Sequence, residues 1–288
     1  MPHCLYRAGP VLAAGLAMLS SLALQPARTA PADEIVLVPH RAIYDLRLEK
    51  TRPGAGVSDL SGRLVYEIQG NACVGYTQTM RFVTRMTNQE GNILTTDLRS
   101  SSWEDGAGKR LRFDASTHRD EQPPEATRGE AARTGEAIRI ELDRPKKKKL
   151  DIRSATLFPI QHSLALISAA QAGQTIFTAD LYDGSEKGEK VYATTAAIGK
   201  RRPPGANKDL PAVKNAEKLD DHAAWPIALS YFDLGKDRED SAPSYELAYL
   251  FFDNGVTRLL SIDYSDFAIR APLKELTFLG TGQCEKKS

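Results

Sequence analysis

The chain has 288 residues, 41% hydrophobic and 26% charged, with 38 basic residues against 37 acidic and a formal net charge of +1. So even a balance excludes a nucleic-acid binder driven by bulk charge, and three cysteines are too few for a disulfide-rich miniprotein or a cysteine-rich zinc domain. No internal run approaches the ~20 apolar residues of a membrane-spanning helix, and the length suits one large domain or two ordinary ones.

The first elements are not part of the fold. Residues 1–9 carry Arg7 and no acid, residues 10–24 (PVLAAGLAMLSSLAL) form an apolar core, and Ala30-Pro31-Ala32 fits the small-x-small pattern before a cleavage site. Residues 1–32 read as a secretory signal peptide removed after Ala32. The competing reading is an uncleaved anchor, for which an apolar core of about 15 residues is short. Cys4 precedes the apolar core, so it is not the cysteine of a lipoprotein signal, which follows that core. Cleavage removes Arg7, Arg28 and Cys4 and no acid, leaving a mature chain of net charge −1 with two cysteines, Cys73 and Cys284. An even pair in an exported chain reads as one disulfide, the alternative being two independent buried thiols. Such a bridge closes a loop of about 210 residues, to which chain entropy assigns about 5 kcal/mol as an upper figure. Neither cysteine lies in a CxxC, so nothing points to a redox catalyst.

Strand patterns then dominate. In HRAIYDLRLEK, Ala42, Tyr44, Leu46 and Leu48 alternate with Arg41, Asp45 and Arg47, the pattern of a strand with one wet face. GRLVYEIQG repeats it with Leu64, Tyr66 and Ile68, and YTQTMRFVTRM with Tyr76, Met80 and Phe82. NILTTDLRSSSWED and KRLRFDAST follow across a Gly-containing turn, and then AIRIELD and KLDIRSATL. FPIQHSLALISAAQAG is helical: Pro159 suits a helix start, Gly173 a stop, and Leu164, Ile167, Ala170 and Gln171 share helical spacing. Further strands are expected at TIFTADLYD, KVYATTAAIG, IALSYFDL, SYELAYLFFD, VTRLLSIDYSDF and KELTFLGT, with hairpin-type turns at Asp183-Gly184 and Asn254-Gly255. Strands every ten to fifteen residues favour a large antiparallel sheet, barrel or sandwich over a βαβ fold, here with one principal helix near residues 159–172. Residues 33–288 are therefore expected to form a single domain. Residues 118–135 and 200–222 are polar, charged and proline-bearing, and read as exposed, mobile loops. The run Lys146–Lys149 reads as a solvated turn, the alternative being contact with an anionic lipid or polysaccharide surface.

The search for chemistry returns little. GxSxG, HExxH, P-loop and GxGxxG patterns are absent, and no two of His40, His118, His162 and His222 stand at a metal-site spacing. His162 and Ser163 are adjacent on the helix and point about 100° apart, so they read as structural rather than as a hydrolase pair. Glu67, Asp97 and Glu104 on strands could form a glycosidase-like pair, but strand carboxylates are mostly a wet face. No catalytic residue, metal site or cofactor is expected. The aromatic residues fall mainly on strand faces, where most pack the core, and Tyr66, Phe82 and Phe251 are the candidates to line an apolar groove inside a curved sheet.

Several stretches taken together resemble the EipB family of periplasmic cell-envelope integrity proteins of alphaproteobacteria. They are PHRAIYDLRL, GRLVYEIQGNACVGYT with RFVTR, LRSSSWEDGAGKRLRF, ATLFPIQHSLALISAAQAG, FTADLYDGSEKGEKVYATTAAIG and ELAYLFFDNGVTRLLSIDYSDF. They lie in the same order across almost the whole mature chain. The resemblance implies a spiral-like, strongly bent antiparallel sheet of many strands packed with a helix, a location in the periplasm, and a disulfide between cysteines placed like Cys73 and Cys284. It also implies a non-enzymatic role in envelope stability and stress tolerance, with no catalytic residue to carry over. The expected partner is an envelope protein; the alternative is a carrier or chaperone holding lipid or lipoprotein in the concave face. A monomer without nucleic-acid contacts is expected.

Overall fold

Period-two alternation is obeyed from the first strand, where His40, Ala42, Tyr44 and Leu46 are buried and Arg41 and Arg47 are exposed. The computed structural model describes residues 35–234 and 242–282. Residues 1–32, read from the sequence as a signal peptide, and with them Cys4, lie outside the described residues, as does Cys284. In chain order the strands are β1 (His40–Thr51), β2 (Val57–Asn71), β3 (Gly75–Asn88), β4 (Ile93–Glu104), β5 (Arg110–Arg119), β6 (Glu125–Arg133), β7 (Ala137–Arg144) and β8 (Lys148–Arg153). Helix α1 (Pro159–Gln171) follows. After it come β9 (Ile176–Leu181), β10 (Tyr192–Ile198), β11 (Ala224–Asp233), β12 (Tyr245–Phe252), β13 (Thr257–Tyr264), β14 (Phe267–Ala271) and β15 (Leu273–Phe278).

These strands build one open, antiparallel, 15-stranded sheet in the order 8-7-6-5-4-3-2-1-14-13-12-11-10-9, with β15 also paired to β1. Every neighbour pair is consecutive in the chain except β1–β14 and β1–β15. Its first half pairs with β15 (Ala42↔Leu276) and its second half with β14 (Arg47↔Arg270). The wet face of β1–β4 carries the cross-strand ion pairs Arg63–Asp45 and Arg81–Asp97, and along β4 Arg99 also pairs with Asp97, each at 2.8 Å.

The two outermost strands are drawn together at one corner. The segment between β8 and α1 pairs with β9 through Leu157↔Leu181, and Arg153 forms an ion pair with Asp180. The connection from β9 to β10 then packs onto β5–β7. Tyr182 is fully buried with Phe113, Ile138 and Ile140, and its hydroxyl donates to the Gly188 carbonyl.

Two strands escape the sequence pattern. The stretch 118–135 is not one exposed loop: it holds the end of β5, a tight turn around Asp120–Pro124, β6, and the start of the next turn at Thr134 and Gly135. The burial of β6 is carried by Gly129 and Ala131, because a Cβ on Gly129 would lie 2.8 Å from the Phe113 ring and 2.7 Å from the Glu141 carbonyl oxygen. Small residues fit that slot and carry no hydrophobic signal. Likewise, VTRLLSIDYSDF is not one strand. The chain reverses at Ser265 (φ 54°) and Asp266, and Phe267 opens the short β14.

The stretch 200–222 is irregular, as its composition suggests, but it is anchored. Arg202 exchanges both backbone hydrogen bonds with Ala224, Lys214 pairs with the β15 backbone, and Ala216 and Leu219 are buried with Phe252 and Leu276. A bulge in β13 supports it. Ala248 faces Ser261 but Leu250 faces Arg258, so β13 holds one extra residue, the exposed Leu259 at φ 56°. The bulge puts Arg258 on the face opposite Leu260, where its guanidinium, 5% exposed, donates to the Pro211 carbonyl. The charged edge strand β8 is also paired: Lys148 with Glu189 at 2.5 Å and Lys149 with Glu141 at 2.7 Å.

Helix α1 begins without a capping side chain of its own, since Phe158 holds that position and Pro159 follows. Glu104, at the end of β4 and 1% exposed, takes over the task from a distant strand. Its carboxylate accepts the N–H of Ile160 at 2.7 Å and of Gln161 at 3.1 Å. The turn after β4 must let the helix close in, and Gly108 (φ +64°) allows it, as a Cβ there would meet Gln161 Cγ at 2.4 Å. Burial raises the Glu104 carboxyl from 4.5 to about 7, the two N–H donors opposing that rise. A carboxyl whose folded pKa is raised binds more protons folded than unfolded, so its contribution falls as pH climbs from about 4.5 to about 7. Glu104→Gln therefore gains stability relative to wild type across that window, by up to about 3 kcal/mol, and the difference levels above it. Urea denaturation of both proteins from pH 4.5 to 8 checks this; a pH-independent difference removes Glu104 as the titrating group.

Candidate functional site

Between α1 and the sheet lies a partly open cavity of about 380 Å³, near the lower end of the ~300–1,000 Å³ of small-molecule sites. Three groups of elements supply its walls. Strands β1–β3 contribute His40, Tyr44, Leu64, Tyr66, Gln78 and Met80; β11–β13 contribute Leu229, Tyr231, Leu247, Tyr249 and Leu260; the helix contributes His162, Ser163 and Leu166. The inward positions are those of simple alternation, for instance Tyr245, Leu247, Tyr249 and Phe251 along β12. Among the described residues the lining holds no lysine or arginine and a single carboxylate, Asp183, whose Oδ1 accepts the Ser185 N–H.

The polar groups fall into two sets. Some are engaged with the protein. Tyr44 donates its hydroxyl proton to the Thr257 carbonyl at 2.8 Å, and Gln78 Nε2 donates to the Tyr66 hydroxyl at 2.7 Å. Ser163 Oγ donates to the Pro159 carbonyl, so it makes no pair with His162. The Thr194 hydroxyl proton goes to the Ala179 carbonyl at 2.8 Å, so Thr194 Oγ1 accepts from His162 Nε2–H at 2.9 Å. The His162 ring also lies edge-on to Phe177, with centroids 5.4 Å apart. Burial lowers the His162 pKa to about 4, so the ring is neutral at pH 7. His40 donates Nδ1–H to the Val38 carbonyl, and burial lowers its pKa too. The other set is open: the hydroxyls of Tyr231 and Tyr249 line the cavity, and neither makes a hydrogen bond among the described residues. Burial raises both phenols, and raises Tyr66 to about 12 against the opposing bond from Gln78. The interior therefore offers neutral hydrogen-bonding groups in an apolar, aromatic wall.

Of the three aromatics expected to line a groove, Tyr66 and Phe251 stand on the cavity wall. Phe82 does not. It shares a face with Met80 but sits two residues farther along β3, opposite Leu64 and Leu98, and packs into the neighbouring core cluster. His40, Tyr44 and His162 were not among the residues expected to line the groove. The signal for the first two was there, since they share the buried phase of β1; His162 was read as a structural residue of the helix, and nothing local tied it to a cavity. The three strand carboxylates do not assemble. Glu67 holds Gln69, Asp97 holds Arg81 and Arg99, and Glu104 holds the helix. Among the described residues no cluster of three His, Cys, Asp or Glu could hold a metal, and no helix is long and apolar enough to cross a membrane. A second depression of about 350 Å³ beside Trp103 is walled by charged groups already paired, including Arg128–Asp114 and Arg112 over the Trp103 ring.

Cys73 lies in the exposed turn between β2 and β3. The neighbouring Asn71 Nδ2 donates to the Gly282 carbonyl at 2.7 Å, so the chain just before Cys284 runs against this turn.

The chain matches the EipB-like family over residues 31–280. It is 38% identical over 252 residues to the cell envelope integrity protein EipB of Brucella abortus strain 2308, covering 88% of each chain. The crystal structure of a beta-barrel-like protein of the domain of unknown function DUF1849 from Brucella abortus superimposes with a TM-score of 0.77. That match has 36% identity and covers 85% of this chain and all of the other.

Replacing Thr194 by valine leaves His162 Nε2–H buried without its acceptor. A loss of about 1–3 kcal/mol is expected, read as a lower urea midpoint at unchanged slope.

Proposed function

The chain belongs to the EipB-like family, and from that premise we propose that it is an exported, non-enzymatic protein of the periplasm that supports cell-envelope integrity and stress tolerance by binding an envelope partner. The observation that carries this reading is the 38% identity, over 88% of both chains, to a protein named for cell envelope integrity. The signal-peptide pattern of residues 1–32 supports the location. The test is deletion of the gene in the source bacterium. The deletion strain becomes sensitive to detergent and to cell-wall antibiotics, and wild-type chain restores resistance; unchanged sensitivity overturns the role. Protein recovered from the periplasmic fraction starts at Asp33, as N-terminal sequencing would read.

A second reading, a carrier or chaperone that holds lipid or lipoprotein on the sheet, is favoured by one observation: the tyrosine-rich cavity under α1.

A Cys73–Cys284 disulfide belongs to the proposal. The Asn71–Gly282 hydrogen bond supports it by bringing the C-terminal segment to the Cys73 turn. Its role is structural, holding β15 and the chain end against β2 and β3. Non-reducing peptide mapping finds the two cysteines in one linked fragment. Cys73→Ser loses about 2–5 kcal/mol, a fall in Tm of about 5–15 °C for a domain of this size. A confirmed bridge whose removal leaves Tm unchanged defeats the structural role.

A further inference from the structure

We infer that the cavity under α1 takes a single apolar chain ending in an uncharged, hydrogen-bond-accepting head such as a carboxylic ester, and discriminates against anionic lipids. This rests on the reading that the protein binds an amphiphile in that cavity, and goes beyond it by assigning the ligand's class.

The walls carry the inference. The volume of about 380 Å³ is small, fitting one chain rather than the two of a phospholipid. Leu64, Met80, Leu166, Leu229, Leu247 and Leu260 supply an apolar seat, which favours each methylene taken out of water. The polar complement is built from neutral donors. The Tyr231 and Tyr249 hydroxyls have no partner among the described residues, and the Tyr66 oxygen accepts from Gln78, which leaves its own proton to give. Three phenolic protons in one apolar chamber ask for an acceptor oxygen. Two acceptors share the chamber with them: the Asp183 carboxylate, whose Oδ1 takes the Ser185 N–H, and His40, which gives its Nδ1–H to Val38, so that its Nε2 lone pair can take a hydroxyl from the ligand.

An anion has nothing to meet. Among the described residues no lysine or arginine lines the cavity, and the one formal charge in its wall is the Asp183 carboxylate. The start of α1, which could otherwise receive an anion, is occupied, since Glu104 already takes the N–H groups of Ile160 and Gln161. Burying a charge without a partner is far more costly than burying an ester, whose oxygens the phenols satisfy. Burial likewise keeps the phenols and both histidines neutral, so they add no charge to the wall around pH 7.

The test is isothermal titration calorimetry of the full mature chain at pH 7.5 with three 12-carbon probes below their micelle concentrations. They are 1-monolauroylglycerol (neutral ester), laurate (anion) and dodecyltrimethylammonium (cation). The neutral ester binds at least tenfold more tightly than either ion. Tyr231→Phe/Tyr249→Phe weakens it about ten- to hundredfold, the loss of two ordinary hydrogen bonds, while Tm is unchanged. Leu166→Trp fills the chamber and abolishes binding of every probe. Equal or tighter binding of laurate or of the cation, or an unaffected double variant, overturns the ligand class and leaves the binding cavity standing. No binding of any probe to wild type overturns the cavity reading and the inference together.

Discussion

The sheet exists as one piece because β1 has three partners. Each arm, β2 to β8 and β14 back to β9, grows by pairing consecutive strands, and the loop-closure cost of each step is small. Only β1 joins the arms, through ladders with β14 and β15 that bring together residues such as Arg47 and Arg270. Remove that seam and two meanders remain, each with a raw edge. The backbone bond from Asp45 N–H to the Pro272 carbonyl carries the seam across the break between β14 and β15, and that from Leu279 N–H to the Pro39 carbonyl extends it past the end of β15. The proposed Cys73–Cys284 bridge would lie beside it.

A second closure makes the cavity. The sheet's two ends meet at Leu157 and Leu181, and α1, which links them, is held down at its start by Glu104 from β4. The energetics of this contact are divided. The buried carboxylate satisfies two N–H groups that Phe158 cannot cap and sits at the positive end of a helix, yet it gives up its hydration to do so. The rise of its pKa to about 7 says that desolvation outweighs the bonds. The helix is thus positioned by a polar contact as well as by its apolar face, and the space beneath it is lined rather than filled.

Much of the fold could be read from alternation. Thirteen of the strands have apolar and polar residues in strict enough phase to be seen, and α1 is marked at both ends by Pro159 and Gly173. What could not be read has a common cause: the deciding contacts are far away in the chain. β6 is buried through Gly129 and Ala131, whose smallness makes sense only against Phe113 and Glu141. β14 is five residues that need β1 to be a strand. The 200–222 stretch has too few apolar residues to predict burial, but Leu219 and the bond from Arg258 fix it to the sheet. The same holds for the cavity. Tyr66 and Phe251 lie in the right phase on their strands. Phe82 shares that phase and misses the cavity by one repeat, because phase gives the face and not the position along it. The pairing of His162 with Thr194 joins a helix to a strand and has no local signature.

The β1 seam also constrains how the molecule can be made. A chain emerging from its N-terminus can zip β1 to β2 and extend through β8, and later β9 to β13, by local steps alone. Throughout that time one edge of β1 has no partner, since its complement lies at residues 267–278. The newborn protein is therefore an unsealed ribbon until nearly all of it has appeared, and its sealing is a single late event. The bare strand edge of an unsealed ribbon must be kept from neighbouring copies until the last two strands arrive.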